Sequence, residues 1–247
     1  MARKTVTAAL LVIGDEILSG RTKDQNIPYM AGYLANIGID LVEVRIVRDM
    51  ASEIIDAVNA LRRRYDYVFT TGGIGPTHDD ITADAVAAAL GLEISEDPRA
   101  IEVLLTIFKP EDLNEARRRM ARLPRGADLI ENRISKAPGF KIENVIVLAG
   151  VPAVMQVMLD AVAPQLATGA PMIAETIFAG SLPEGAYAAA LCALSAKRPE
   201  LTIGSYPAYR DGRFHNEIVV RGRDASIVAE AAAEVQAMVE GLRKERA

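Results

Sequence analysis

The residues best equipped for chemistry lie at positions 70–82, which read Thr-Thr-Gly-Gly-Ile-Gly-Pro-Thr-His-Asp-Asp-Ile-Thr. Gly72, Gly73 and Gly75 carry no Cβ, so they can adopt positive φ and let a ligand lie against bare backbone N–H groups. Where such a loop feeds a helix N-terminus, unpaired amides and the positive end of the helix dipole converge, which is the chemistry of anion binding. Pro76 stiffens the turn, and Thr77 with Asp80 three residues on has the spacing of a capping box. The same composition also serves helices that bind nothing, because acidic residues such as Asp79 and Asp80 complement a helix dipole. The juxtaposition is what points to a ligand. Amides arranged for an anion stand beside two carboxylates, and a Mg²⁺ ion shared by carboxylate and phosphate relieves that repulsion.

Several elements must position this loop. Tyr67-Val68-Phe69 before it is a β-branched and aromatic run with the pattern of a buried strand, and Ile81, Ala85, Val86 and Ala89 after it recur at helical spacing. Thr7 to Ile13 is a near-continuous apolar run, as in a central parallel strand covered on both faces, and it ends in Gly14-Asp15-Glu16. Asn26 is a candidate N-cap for a helix whose stripe of Ile27, Met30, Ala31, Leu34 and Ile37 stops at Gly38. Residues 39–47 alternate apolar and charged as a strand nearer the sheet edge does, and Asp49 is placed to cap the helix carrying Ile54, Val58 and Leu61. Successive strand–helix units demand a parallel sheet with right-handed crossovers.

Beyond Gly91 the pattern predicts helices from Pro98 and from Pro110, the second rich in Arg117, Arg118, Arg119 and Arg122. A solvated helix face explains that arginine run more simply than a lid over phosphate. Residues 123–127 read as a turn, 128–130 as a short strand and 140–148 as a hairpin turning at Glu143-Asn144. Gly150-Val151-Pro152 then repeats the strand, glycine, helix order, so two loops are expected to face one crevice at the carboxyl ends of the strands. A break at 163–171 separates a tail of β-α-β-β-α order, expected to form a small α+β domain. His215 there reads as structural, and Tyr206, Tyr209 and Phe214 as turn and packing residues.

Composition bounds the function. The chain has 247 residues, 50% hydrophobic and 25% charged, with a net charge of −5 and a pI near 5.3. An acidic balance argues against bulk nucleic-acid binding, which needs a basic face, so any phosphate is held locally. The lone Cys192 precludes an internal disulfide. Residues 1–5 lack the apolar stretch of a leader, and no run is long enough to span a membrane, so a cytoplasmic location is expected.

Four motifs in order, Gly14-Asp15-Glu16-Ile17-Leu18-Ser19-Gly20 with Asp24 and Asn26, then 71–82, then Ala137-Pro138-Gly139-Phe140 and Gly150-Val151-Pro152, resemble the molybdopterin-binding (MoaB/Mog) family. The nearest branch is the amino-terminal region of competence/damage-inducible protein A (CinA) together with the pterin-binding-like domain of FAD synthases. The resemblance implies a three-layer α/β fold with a mostly parallel sheet over residues 1–168 and a small α+β domain over 172–247. The chain ends at Ala247, so the amidohydrolase activity of full-length CinA is not carried over, and Ala149 stands where relatives usually have proline.

The family further implies a site at the carboxyl edge of the sheet. Gly72, Gly73 and Gly75 would hold phosphate, supported by Gly14, Asp15, Asn26, Thr71, Pro76 and Thr77, with Ser135, Lys136, Pro138 and Gly139 closing the far side. Asp80 would bind Mg²⁺ (or Mn²⁺ or Co²⁺), Asp79 would assist or orient water, and Glu16 or Asp24 would act as second carboxylate and base. Three activities follow from the resemblance: metal-dependent hydrolysis of a nucleotide pyrophosphate such as ADP-ribose or FAD, non-catalytic carriage of molybdopterin or a nucleotide, or a step of molybdenum-cofactor biosynthesis such as adenylylation of molybdopterin with Mg-ATP. All take a small pterin or nucleotide rather than nucleic acid or membrane, and a homo-oligomer is expected.

Overall fold

The computed structural model describes residues 5–245. The leader expectation at residues 1–4 and the terminal Ala247 lie outside the described residues. The chain folds as two compact units, 1–169 and 170–247.

The first unit follows from the double-sided strand. In β1 (Val6–Ile13) the side chains of Ala8, Leu10 and Val12 enter one core, while Ala9, Leu11 and Ile13 enter another. A strand that is apolar on both faces must be covered on both, and it is. After a single turn, α1 (Asp15–Leu18), come α2 (Asn26–Asn36), β2 (Ile39–Val47), α3 (Ala51–Arg62), β3 (Tyr67–Thr71) and α4 (Thr82–Leu90). The chain then makes an excursion through β4 (Ile94–Glu96), α5 (Pro98–Leu104), α6 (Glu115–Arg119) and β5 (Arg122–Pro124). It returns to the sheet as β6 (Asp128–Ile130), β7 (Gly139–Ile142) and β8 (Val145–Leu148), and closes with α7 (Pro152–Val162).

Met30 and Leu34 of α2 and Met155, Met158 and Leu159 of α7 cover the Leu10 face. Ile54, Val58 and Leu61 of α3 and Ala85, Val86 and Ala89 of α4 cover the Leu11 face. The result is the expected three-layer α/β architecture. The sheet order is β2-β1-β3-β8-β7-β6, with the first three pairings parallel and the last two antiparallel. Because the chain goes from β1 to a neighbour on one side and then to β3 on the other, the order reverses between β1 and β3. That reversal opens a crevice at their carboxyl ends, where open α/β sheets bind ligands.

One local expectation is corrected and another is met. Residues 94–96 and 122–124 form a separate two-stranded antiparallel ribbon, with Ile94 opposite Pro124, where helix and turn were expected. Each strand is three residues long, too short to show an alternation. The hairpin at Glu143-Asn144 forms as expected, with Glu143 at φ 51° and Asn144 fastened through its amide to the carbonyls of Arg62 and Tyr65.

The second unit has β9 (Ile173–Gly180), α8 (Ala188–Lys197), β10 (Thr202–Tyr206), the two-residue strands β11 (Tyr209–Arg210) and β12 (Arg213–Phe214), β13 (Asn216–Gly222) and α9 (Ala225–Lys244). Its antiparallel sheet runs β10-β13-β9, and Ile177, Ala179, Ile218 and Val220 meet Val228, Ala231, Val235 and Val239 of α9 in one core. Asp224 caps α9 by accepting from the amides of Ser226 and Ile227. No helix among the described residues is long and apolar enough to cross a membrane.

Candidate functional site

Three loops meet at the carboxyl end of the sheet, and Gly72 is their common point. Its φ is +103°, and a Cβ there would strike the carbonyl oxygen of Ile13 at the end of β1. From the other side, a Cβ on Gly150 would lie 3.2 Å from the Gly72 Cα. Only glycine admits three backbones this close. The Gly72 amide is engaged, donating to the Leu148 carbonyl at 3.3 Å. Thr82, the buried first residue of α4, fixes the next turn: its amide donates to the Gly73 carbonyl at 3.0 Å and its hydroxyl to the Gly72 carbonyl at 3.0 Å. The amides of Gly73, Ile74 and Gly75 donate to no protein group among the described residues.

These groups face a crevice of about 640 Å³. Of the residues expected at a site, Glu16, Gly72, Gly73, Gly75, Pro76, Asp79, Asp80 and Ser135 line it. Its apolar lining comes from Ile13, Ile74, Met120, Val154 and Met158. Glu16 folds back over Gly14, where a side chain would collide with its carboxylate. Gly14 therefore acts by being small, and its amide donates to Val47.

The Asp79–Asp80 pair is organised by Thr77. The Asp80 Oδ2 accepts from the Thr77 amide at 2.8 Å and from its hydroxyl at 2.5 Å. The box spacing is thus real but caps no helix, since α4 begins only at Thr82, after Ile81. It closes a turn inside the loop and aims Asp80. The Thr77 hydroxyl and the Asp79 amide also hold the Asp79 carboxyl below the usual range. The one hydroxyl proton is shared by the two carboxylates, with Asp80 Oδ2 as its partner at 2.5 Å, and it favours the ionised form of either.

Several expected site residues do other work. Asp24 caps α2, its Oδ1 accepting from the Ile27 amide at 2.7 Å, in the place expected for Asn26. Asn26 is 4% exposed and donates through Nδ2 to the Gly150 carbonyl at 2.8 Å. Together with buried Thr71 these two residues line a side cavity of about 170 Å³ rather than the main crevice, and Glu16 borders both. Asp15 pairs with Arg48 at 3.0 Å, and its amide donates to Asp49 Oδ2. Asp49 therefore caps the Asp15 turn and not α3, whose N-cap Met50 offers no side-chain bond. Lys136 stands at φ 64° in its loop, Pro138 is buried beneath the glycine loop, and Gly139 is buried against Val147 and Met158.

The sequence reading missed Asn132, which is 2% exposed. Its Oδ1 accepts from the amides of Ile134 and Ser135, and its Nδ2 donates to the Ser135 hydroxyl and the Ala137 carbonyl. A polar residue opening a loop with Ser three positions on is the trace it leaves in the sequence. Asp49 and Met120 also line the crevice without having been expected there. The arginine run is divided: Arg118 pairs with Glu96 and Arg117 stacks on Phe108, whereas Arg119 and Arg122 turn in toward the glycine loop. A uniformly solvated face is therefore corrected for those two.

A three-layer α/β domain with a crevice at the switch point of its sheet is the class of protein that this architecture defines. Residues 9–168 match the family described as a probable molybdopterin binding domain, and the chain belongs to that family. Residues 171–245 match the middle domain of FAD synthase. A protein of Aeropyrum pernix is 33% identical over 250 residues, covering 96% of this chain and 92% of its own length. A probable FAD synthase of Caenorhabditis briggsae is 31% identical over 240 residues, covering 87% of this chain. The match takes in only 46% of the FAD synthase, so this chain spans about half of that relative's length. Among solved structures, the protein CinA of Thermoplasma acidophilum, described as of unknown function, superposes with a TM-score of 0.62 at 30% identity, over 66% of this chain and 99% of that one.

Proposed function

We propose that the crevice binds the phosphates of a nucleotide and hydrolyses a nucleotide pyrophosphate of the ADP-ribose or FAD type with a divalent metal. The observation that carries this reading is the set of three successive unpartnered amides, Gly73 to Gly75, opening on the same space as Asp79, Asp80 and Glu16. Amides of that kind hold phosphate oxygens, and carboxylates beside them are out of place unless a cation is shared. The likeness to a probable FAD synthase supports a nucleotide ligand.

Among the described residues no group of three His, Cys, Asp or Glu side chains is placed to hold a metal alone. Asp79 and Asp80 fit Mg²⁺, which takes one or two carboxylates and completes its shell with phosphate oxygens and water, and Mn²⁺ or Co²⁺ accepts similar oxygen donors. Such an ion, when bound, would neutralise charge on the phosphate oxygens.

The chain's own groups have distinct tasks. The amides of residues 73–75 hold one phosphate, Thr77 fixes Asp80, and the Met120–Met158 wall shelters a heteroaromatic ring from water. Glu16, whose carboxylate lines the crevice while that of Asp24 is engaged in a helix cap, takes the proton of the attacking water. Water adds to one phosphorus, the bridging oxygen leaves with the other phosphate, and one proton passes to the base. The products are two phosphate monoesters.

A second reading is favoured by one observation. Among the described residues the carboxylates do not converge as a ready metal cage, which suits a carrier of molybdopterin or a nucleotide that cleaves nothing. Chromatography of AMP released from ADP-ribose and from FAD, with Mg²⁺, Mn²⁺, Co²⁺ or a chelator, separates the two. Metal-dependent release supports the hydrolase, and its absence with every metal, while ligand still raises the melting temperature, leaves the carrier.

A further inference from the structure

Arg119 stands out among the cations of the excursion between α4 and β6. Arg118 is paired with Glu96, Arg122 with Asp84 at 2.5 Å and Arg99 with Asp97 at 2.7 Å. Arg119, the last residue of α6, has no carboxylate partner among the described residues. It is only partly exposed, its Nε is buried without a hydrogen bond, and its Nη2 donates to the Asp80 carbonyl at 3.4 Å. The guanidinium lies behind the glycine loop, across a gap of about 20 Å³ that is also lined by Gly73, Ile74, Gly75 and Asp80.

An unpaired, half-buried cation is costly unless an anion shares its field. The gap is too small for a ligand, and the space large enough for an anion is the crevice, which shares Gly73, Ile74, Gly75 and Asp80 with it. Gly73 and Gly75 have no side chains, which leaves little more than one layer of backbone between the guanidinium and that space. Asp79 and Asp80 meanwhile raise the cost of a phosphate there, and a positive charge behind the amides offsets it.

We propose that Arg119 is the positioning residue and counter-charge of the crevice: it holds the backbone of Asp80 and favours an anion on the amides across the loop. The proposal rests on the phosphate site argued above, though not on hydrolysis. Lys at this position keeps the charge, whereas Gln keeps a hydrogen-bond donor and removes the charge.

The test is calorimetric binding of inorganic pyrophosphate, with Mg²⁺ present, to the full chain and to Arg119→Gln and Arg119→Lys, at low and at high salt. The expected result is about tenfold weaker binding for Gln and less than about threefold for Lys at low salt, the order of one partly screened charge, with the difference shrinking as salt rises. Thermal melting of the ligand-free variants reports whether they fold. If the Gln variant does not, Asp84→Asn supplies the converse test, because releasing Arg122 from its partner adds positive charge behind the loop and tightens binding. Equal affinity of Gln and the unaltered chain, equal losses for Gln and Lys, or no tightening in Asp84→Asn would overturn the role. Pyrophosphate binding that depends on Arg119, in a chain that releases no AMP, would end the hydrolase reading and leave this one standing. No binding by the unaltered chain would remove the phosphate site and this role together.

Discussion

The side-chain amide of Asn26 donates at 2.8 Å to the carbonyl of Gly150, joining two loops 124 residues apart in sequence. This bond ties the N-terminus of α2 to the glycine turn before α7, beside the side cavity that both residues line. A carbonyl can only accept, so it fixes which end of the amide is nitrogen and leaves Asn26 Oδ1 buried without a partner. Asn26→Ala removes a hydrogen bond worth about 1 kcal/mol and an unsatisfied acceptor that costs a similar amount. The expected change in stability is therefore within about 1 kcal/mol by urea titration. Ligand affinity falls because the Gly150 loop is freed. Unchanged affinity would show that the clamp has no part in binding.

Gly72→Ala and Gly20→Ala separate two costs. Both positions have positive φ, +103° and +73°, but a Cβ at Gly20 meets nothing within 4 Å, whereas at Gly72 it meets the Ile13 carbonyl. Gly20→Ala should lose about 1–2 kcal/mol from left-handed backbone alone. Gly72→Ala should lose more and abolish ligand binding, because the loop must move. Chemical denaturation of both variants, side by side, decides it.

In the proposed reaction Glu16 is the base, whereas Asp24 is held at the start of α2 by the Ile27 amide. Asp24→Ala should cost about 1 kcal/mol of stability through the lost α2 cap while keeping most of any turnover. Glu16→Gln should keep stability and lower turnover by about 10²–10⁴, the range for a removed general base. The reverse pattern would move the base to Asp24.

The depressed Asp79 ionisation sets a pH limit with a definite sign. Its carboxyl titrates below the usual 3.8. The contribution of the ionised form to loop stability is complete above that ordinary value and is lost as pH falls through the lower folded one. Thr77→Val removes the hydroxyl and should shift the acid limb of the activity profile to higher pH. A limb that stays in place would mean that the hydroxyl does not act on the carboxylates.

Much of this arrangement is legible locally. The double-sided β1, the glycine loop after β3 and the Glu143-Asn144 turn are each specified within a dozen residues, so pattern suffices. Less local features are silent. Asn132 looks like any loop asparagine until its four partners are in place, and Asp49 precedes a helix by two residues yet caps the Asp15 turn. The β4–β5 ribbon pairs segments 26 to 30 residues apart through strands too short to carry a period. Arg119 differs from Arg118 only in the direction it faces, which helical rotation decides and composition cannot.

In the proposed reaction the crevice cleaves a pyrophosphate using the Asp79–Asp80 loop. The most direct measurement is AMP release from ADP-ribose by the unaltered chain and by Asp80→Asn, with Mg²⁺ and with chelator, alongside ligand binding by both. The expected result is release that requires the metal and is lost in a variant that remains folded. Equal release by Asp80→Asn, or ligand binding with no release by either protein under any metal, would contradict it.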